Sequence, residues 1–320
     1  MATGTQGGGS SGLRDWSAGM ALTAPRSAAL LRGLADAADG DSSLSALLGQ
    51  GRLDGPLAGV RLLAGVHDLV LTGQAPQLET LMYATDPDAA PAQADVLWQT
   101  TRQTIFDHPH EMRAALDWPA QQHLPGRAAF LLSGLAMLGQ PWVRVLELGA
   151  CAGLTLQPDQ YWWQGPGWTW GASDSPVRLR VDCPAPPEGL TIVERRGCDI
   201  APVDPRDPDM VRRLHTFVPP ELDSVHQDLD AALGIAAGRP RVVDKKNARE
   251  WLEQRLLEQS VLGVHTVVWH CHVWDQLDQG ERDGIRDALL AAARRYPISR
   301  ISYEPYQQGG PATLIVESFQ

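Results

Sequence analysis

Residues 143–148, Val-Arg-Val-Leu-Glu-Leu, form a compact apolar run of strand type that passes directly into Gly149-Ala150-Cys151-Ala152-Gly153. This junction constrains the chain more than any other feature. A short apolar run bounded by glycine reads as a buried strand. Glycines just after a strand let the backbone turn sharply and approach a ligand, and a helix opening after Gly153 would aim its N-terminus at an anion or polar group. Further strand-type runs follow at 190–194, 241–244, 266–270, 298–303 and 313–317. Helical stretches lie among them at 207–214, 248–257 and 281–295. Strand alternating with helix predicts an α/β fold, a doubly wound, mostly parallel sheet with helices on its faces. Ligands of such sheets bind beyond the carboxyl ends of the strands, near the point where strand order reverses.

The preceding part of the chain has a different texture. Residues 1–12 are rich in Gly, Ser and Thr and have nothing to bury, which predicts a disordered tail. Residues 13–140 read as helical. Apolar residues recur at helical spacing over 28–34 and 57–71, with Pro56 suited to a first turn and Gly73 to a stop. Residues 95–115 form another helix interrupted near Pro109, and 126–138 an apolar one closed by Gly139. Residues 141–320 then make the sheet domain. Within it, Trp162, Trp163, Trp168 and Trp170 surround Gly165-Pro166-Gly167, which predicts a hairpin or loop excursion after the first sheet helix. Packing of this excursion onto its domain is favoured over an aromatic wall of a substrate pocket.

Charge and cysteine usage exclude several functions. A formal net charge of -11 argues against general affinity for nucleic acid or anionic lipid. No apolar run reaches the roughly 20 residues that span a bilayer, and no charged start precedes an apolar stretch, so no secretory signal is expected. Cys151, Cys183, Cys198 and Cys271 form no CxxC pair, which fits reduced thiols in a cytoplasmic protein.

Among residues that carry chemistry, Arg127, Arg195 and Arg196 are candidate anion holders, because the guanidinium fork pairs with carboxylate, phosphate or sulfate. Their bland alternative is a surface ion pair. Arg196 is the sharper case, next to Gly197 and before Asp199 at a strand end. Asp199 and Asp244 each lie at or just after a strand; the alternative for both is a cap or a turn. His270, His272 and Asp275 lie close in sequence, and strand alternation points His270 and His272 the same way. No third ligand stands at a convincing spacing, so no metal is expected. Histidines bonded to backbone are favoured, with general acid/base work by His270 as the remaining role. His67, in an apolar helix, reads as a satisfied core histidine. Arg195, Arg196, Arg206, Arg212 and Arg213 make a basic stretch, either an approach face for an anionic substrate or a solvated face neutralised by Asp207 and Asp209.

Glu147, Gly149 and Gly153 resemble the acid-x-Gly-x-Gly-x-Gly first motif of class I S-adenosylmethionine (SAM) methyltransferases, with Cys151 at the middle glycine. The resemblance implies a SAM pocket at Glu147, Gly149, Cys151, Gly153 and Asp244, into which the Cys151 side chain would project. A longer set of strings resembles the bacterial domain-of-unknown-function family 2332. These are Val66-His67-Asp68-Leu69-Val70-Leu71, Gly126-Arg127, Glu147 to Leu154, Ser175-Pro176-Val177, Arg195-Arg196-Gly197-Cys198-Asp199 through Pro202 and Asp204, and Val267-Val268-Trp269-His270. They cover nearly the whole chain after the tail. That family looks like a helical N-terminal region joined to a Rossmann-like methyltransferase fold. Its usual residue at 151 is Ser, and Gln121-Gln122-His123-Leu124-Pro125 stands where relatives have Gln-Thr-Asn-Glu. Some relatives look like natural-product enzymes, including aziridine formation by loss of sulfate.

The resemblance implies an enzyme of bacterial specialised metabolism that works without SAM. It would displace or eliminate an anionic group such as sulfate, with ring closure, on an amino-acid-derived substrate, through His270, Arg127, Arg196 and Asp199. Two alternatives stay open: a SAM-dependent methyltransferase acting on a small molecule, and a non-catalytic subunit of a biosynthetic complex. The expected partners are a small-molecule or carrier-bound anionic substrate and, as an open option, a small partner subunit, with neither nucleic acid nor membrane.

Overall fold

The computed structural model describes residues 10–49, 52–53, 57–83, 90–258, 261–305 and 312–319. The chain divides into two compact units: Met1–Gln122 with Pro208–His226, and His123–Asp207 with Gln227–Gln320. Among the described residues no helix is long and apolar enough to cross a membrane.

The first unit is helical: α1 (Ser10–Met20), α2 (Pro25–Gly40), α3 (Ser42–Leu48), α4 (Ala58–Leu71), α5 (Pro76–Met82), α6 (Ala90–Asp107) and α7 (Pro109–Ala115), joined by the later helix Pro208–Thr216. Pro25, Pro76 and Pro109 each stand in a first turn, where a missing N–H costs nothing. Pro109 thereby splits α6 from α7, as the sequence predicts. The α4 stripe Leu62, Val66, Leu69 and Val70 packs with Leu30, Leu31 and Leu34 of α2 in one core. Gly65 lets α4 approach α7: a Cβ there would lie 2.6 Å from that of Ala115. The expected tail is shorter at its inner end, since Ser10, Ser11 and Gly12 belong to α1. Buried Leu13 and a buried bond from Ser17 Oγ to the Ala28 carbonyl (2.8 Å) anchor that helix. Residues 1–9 lie outside the described residues.

The second unit is a mixed α/β structure. A 3-10 turn at Pro125–Arg127 leads into α8 (Ala128–Leu138), which Gly139 closes in the left-handed conformation (φ 65°). Then come β1 (Trp142–Leu148), β2 (Trp162–Gly165), β3 (Trp168–Gly171), β4 (Arg178–Arg180) and β5 (Thr191–Asp199). The helix Pro208–Thr216 is α9 in chain order, followed by α10 (Asp223–Ala237), which the sequence reading did not anticipate. The rest is β6 (Val243–Lys245), α11 (Ala248–Leu257), β7 (His265–Cys271), α12 (Gln279–Ala293), β8 (Ile298–Pro305) and β9 (Ala312–Phe319).

The six-stranded sheet runs β6-β5-β1-β7-β8-β9. Its first five strands are parallel, and β9 is antiparallel to β8. From β1 the chain builds outward to β5 and β6 on one side, then to β7 and β8 on the other. The order therefore reverses at β1, beside β7. Leu146, Leu148, Cys198, Val268 and Ile298 pack under α11 and α12 with Trp251, Leu252, Ile285 and Leu289. The opposite face takes α8: Gly134 admits Ile301, and Phe130 stacks on Tyr303 with centroids 3.6 Å apart.

The helix expected to open after Gly153 does not form. Residues 154–157 turn, and a 3-10 turn begins at Pro158. The Gln157 N–H turns back to the Leu154 carbonyl (3.2 Å), Pro158 has no N–H to continue a ladder, and side chains take neighbouring backbone groups. The Leu154 N–H goes to His123, its carbonyl accepts from Tyr161, and the Leu156 carbonyl accepts from Arg195. The crossover to β5 is instead a small sheet, β3-β2-β4, which includes the expected hairpin. Trp163 is fully buried and donates its indole N–H to the Pro158 carbonyl (2.7 Å), so this tryptophan packs the excursion onto its unit. Gly171 is required there: at φ 95° a Cβ would meet the Tyr161 carbonyl oxygen at 1.9 Å.

Candidate functional site

The carboxyl ends of β1 and β7 carry the only two non-glycine residues with positive φ among the described residues, Cys151 (47°) and His272 (55°). Such conformations persist where their surroundings hold them, and they cluster at ligand sites.

At the β1 end, Gly149 (φ 71°) brings its Cα against Val273; a Cβ there would meet Val273 Cγ2 at 2.3 Å. Four of the amides that follow are consumed inside the protein. Ala150 N–H donates to the Cys198 carbonyl (2.9 Å), Cys151 N–H to Asp199 Oδ2 (2.9 Å), Gly153 N–H to the Ala150 carbonyl (2.6 Å) and Leu154 N–H to His123 Nε2 (3.0 Å). Asp199 Oδ1 accepts from Ala201 N–H (2.8 Å), so both oxygens of this carboxylate hold backbone. Glu147 lies buried beneath the loop and accepts a short bond from Thr155. Burial pushes its carboxyl up to about 8, with Asp199 adding to the rise against the Thr155 bond and the nearby Trp269 indole. Burial also holds His123 neutral, at about 3, with the nearby Arg127 charge acting the same way.

At the β7 end, His270 and His272 part company, contrary to the expectation from strand alternation. β7 ends at Cys271, and the left-handed turn at His272 breaks the period of two. His270 stays in the sheet, 1% exposed, with Nδ1 2.7 Å from Glu304 Oε1 and its ring stacked on Trp274. His272 is exposed and meets the Tyr303 ring edge-on at 5.6 Å. Its N–H donates to the Tyr303 carbonyl (3.2 Å), and the His272 carbonyl accepts from Gln276 Nε2 (2.7 Å). Partial burial and then the Arg127 charge lower the His272 imidazole, against the pull of Glu304 and Asp275. Burial also lowers His270, against its bond to Glu304. Both are neutral at neutral pH.

The charge of Arg127, in the turn before α8, acts on Cys151 and Cys271 as well as on His272. The sequence-derived residues thus fall into two groups. Arg127, Glu147, Gly149, Cys151, Gly153 and Asp199 gather around the β1 loop. Arg196, Asp244 and His270 lie on the other face of the sheet. Arg196 pairs with Asp244 (3.2 Å), which also accepts from Trp251 Nε1 (2.8 Å) and Arg255 (3.0 Å). Burial opposes ionisation of Asp244, but these bonds and the two guanidinium charges hold it below the ordinary carboxylate range.

The basic stretch is likewise occupied. Arg195 forks onto Asp159 (2.5 and 2.9 Å), Arg206 onto the carbonyls of Ala237 and Arg239, and Arg212 onto Asp68 and Asp209. Arg213 lies 3.1 Å over the Trp118 ring. Among the described residues no group of three His, Cys, Asp or Glu side chains is placed to hold a metal.

Three participants were missed by sequence reasoning: His123, Thr155 and Glu304. His123 had a signal, since it stands where the resembled family has a different string; Thr155 and Glu304 had none.

Fold and site define a mixed α/β protein with a glycine loop and a neutral histidine at the strand ends where a parallel sheet reverses order. The chain belongs to the family described as "Uncharacterized protein conserved in bacteria (DUF2332)", whose model matches residues 12–320. No curated protein and no solved structure matches this chain.

Proposed function

We propose that the β1/β7 strand-end site is the active site of a SAM-independent enzyme of specialised metabolism. It displaces an anionic leaving group such as sulfate from an amino-acid-derived substrate, with closure of an aziridine-type ring. The strand order, with an antiparallel edge strand, supports a methyltransferase-like reading of the sheet. The observation that carries the SAM-independent reading is the state of the loop. The N–H groups of Ala150, Cys151, Gly153 and Leu154 are already bonded within the protein. No helix N-terminus follows them. Four bonded amides leave few free donors for the carboxylate of SAM, which supports a reaction without it.

In the proposed reaction the substrate amine attacks the carbon that bears the sulfate. The C–N bond forms, the C–O bond breaks, and sulfate departs with the bonding electron pair. The exposed, neutral His272 takes the amine proton, and Arg127 stabilises the departing anion. Holding amine and carbon in line is the larger part of the catalysis. This reading gives the base role to His272 and leaves His270 behind it in the sheet.

The test is sulfate release from a vicinal amino sulfate ester, alongside titration with SAM. Release that falls about tenfold or more in Arg127→Lys, which keeps charge but loses the fork, supports the reading. A SAM dissociation constant of about 1 μM or tighter, roughly -8 kcal/mol, overturns the SAM-independent part and favours methyl transfer. Neither release nor SAM binding favours a non-catalytic subunit.

A further inference from the structure

We propose that Glu304 is a positioning residue that sets the bend carrying His272. One oxygen of this buried carboxylate, Oε1, accepts from His270 Nδ1 (2.7 Å) and from the Val273 backbone N–H (2.9 Å). Those two residues flank the bend, so a single atom closes the turn around His272. The other side of the turn is held by the neighbouring strand residue, since His272 N–H donates to the Tyr303 carbonyl (3.2 Å). Val273 in turn sits against Gly149, where a Cβ would meet its Cγ2 at 2.3 Å. The Glu304 carboxylate thereby registers the β7 loop against the β1 loop. It also fixes a tautomer: a carboxylate accepts from Nδ1–H, so His270 carries its proton there. The positive φ of His272 is unfavourable for a non-glycine residue, and these bonds are what retain it.

The catalytic consequence rests on the proposed role of His272, but the geometry can be tested without it. Two variants of the full chain separate reach from charge. Glu304→Gln keeps the length and an acceptor oxygen for Val273. Glu304→Asp keeps the charge but is one methylene too short to serve both donors. The readouts are proton NMR contacts between the His272 and Tyr303 rings, the His272 titration curve, and sulfate release from the same amino sulfate ester. The ring contact should persist in Glu304→Gln and be lost in Glu304→Asp, with release falling roughly tenfold or more in the latter. An Asp variant that keeps the parent's ring contact and titration midpoint overturns the proposal. Should Asp not fold, a Gln variant that loses the ring contact while its melting temperature is unchanged overturns it equally. If the contacts change as expected but the parent releases no sulfate, the reaction proposed above fails and the positioning role stands.

Discussion

The two units treat a buried histidine differently. In the helical unit, both nitrogens of His67 are used: Nε2 meets the Tyr83 hydroxyl at 2.7 Å and Nδ1 the Thr216 carbonyl at 3.4 Å. Burial, and then the nearby His226, push it down to about 3. It completes a core. In the sheet unit, His123 is pushed down equally far by burial, yet its bond is spent on the Leu154 N–H of the glycine loop. Both units leave buried polar atoms without a protein partner, Gln93 Oε1 and Arg213 Nε in the helical one and Glu147 Oε2, His270 Nε2 and Glu304 Oε2 in the sheet one. Helices satisfy most of their own backbone, so the buried Ser17 and His67 there bond carbonyls and a hydroxyl rather than a loop amide. Strand-end loops cannot, and the sheet unit draws side chains into holding backbone.

The strongest way to break this comparison is acid. For His67 and His123 the folded value of about 3 lies below the ordinary 6.5. Between those limits the unfolded chain binds the extra proton, so stability is full above pH 6.5 and lost as pH falls toward 3. Each site contributes a slope of about 1.4 kcal/mol per pH unit. Glu147 works the other way. Its folded value of about 8 exceeds the ordinary 4.5, so it removes stability as pH rises from 4.5 to 8. Urea melts from pH 4 to 9 should therefore show a steep acid limb, and Glu147→Gln should flatten the fall on the alkaline side only. A symmetrical profile in both proteins would refute the assignment.

His123→Ala removes the acceptor for a buried N–H and leaves a cavity, so it should cost about 3 kcal/mol in the sheet unit. Hydrogen exchange sharpens the point: amides of residues 150–157 should lose protection while those of α4 keep theirs. Uniform loss across both units would mean that His123 is an ordinary core residue.

Gly149→Ala is expected to cost about 2 kcal/mol, since it combines a left-handed residue with a 2.3 Å approach to Val273. Gly73→Ala, equally left-handed but with open space around it, should cost about 1 kcal/mol. Equal losses by thermal melting would show that the two loops do not interlock.

The smallest effect belongs to Cys151→Gly. Relief of a φ of 47° and loss of a buried thiol nearly cancel, leaving a change of about 1 kcal/mol or less. If the occupied amides exclude SAM, this variant gains no measurable SAM affinity. A gain to micromolar binding on titration would return the exclusion to the Cys151 side chain alone.

Local chemistry alone made much of the fold legible. Pro109, Gly73 and Gly139 end helices through their own backbone restrictions. The apolar runs that became β1 and β7 are strands because a parallel sheet buried on both faces needs near-continuous apolar residues, whereas β9 is a half-buried antiparallel edge. Glu147, Gly149 and Gly153 announced a loop at a strand end. Only the tertiary structure decided what that loop does. Pro158 stops the helix expected after Gly153, and His123, Tyr161 and Arg195, from 31 residues before to 39 after their partners, hold the turn that replaces it. Arg196 and Asp244 looked like ligand residues at strand ends, but they face each other across adjacent strands and neutralise there. His272 left the His270 side of the sheet because of a single left-handed dihedral. Spacing along the chain fixes which residues can share a face, whereas which partner reaches a donor first is settled by packing between segments distant in sequence.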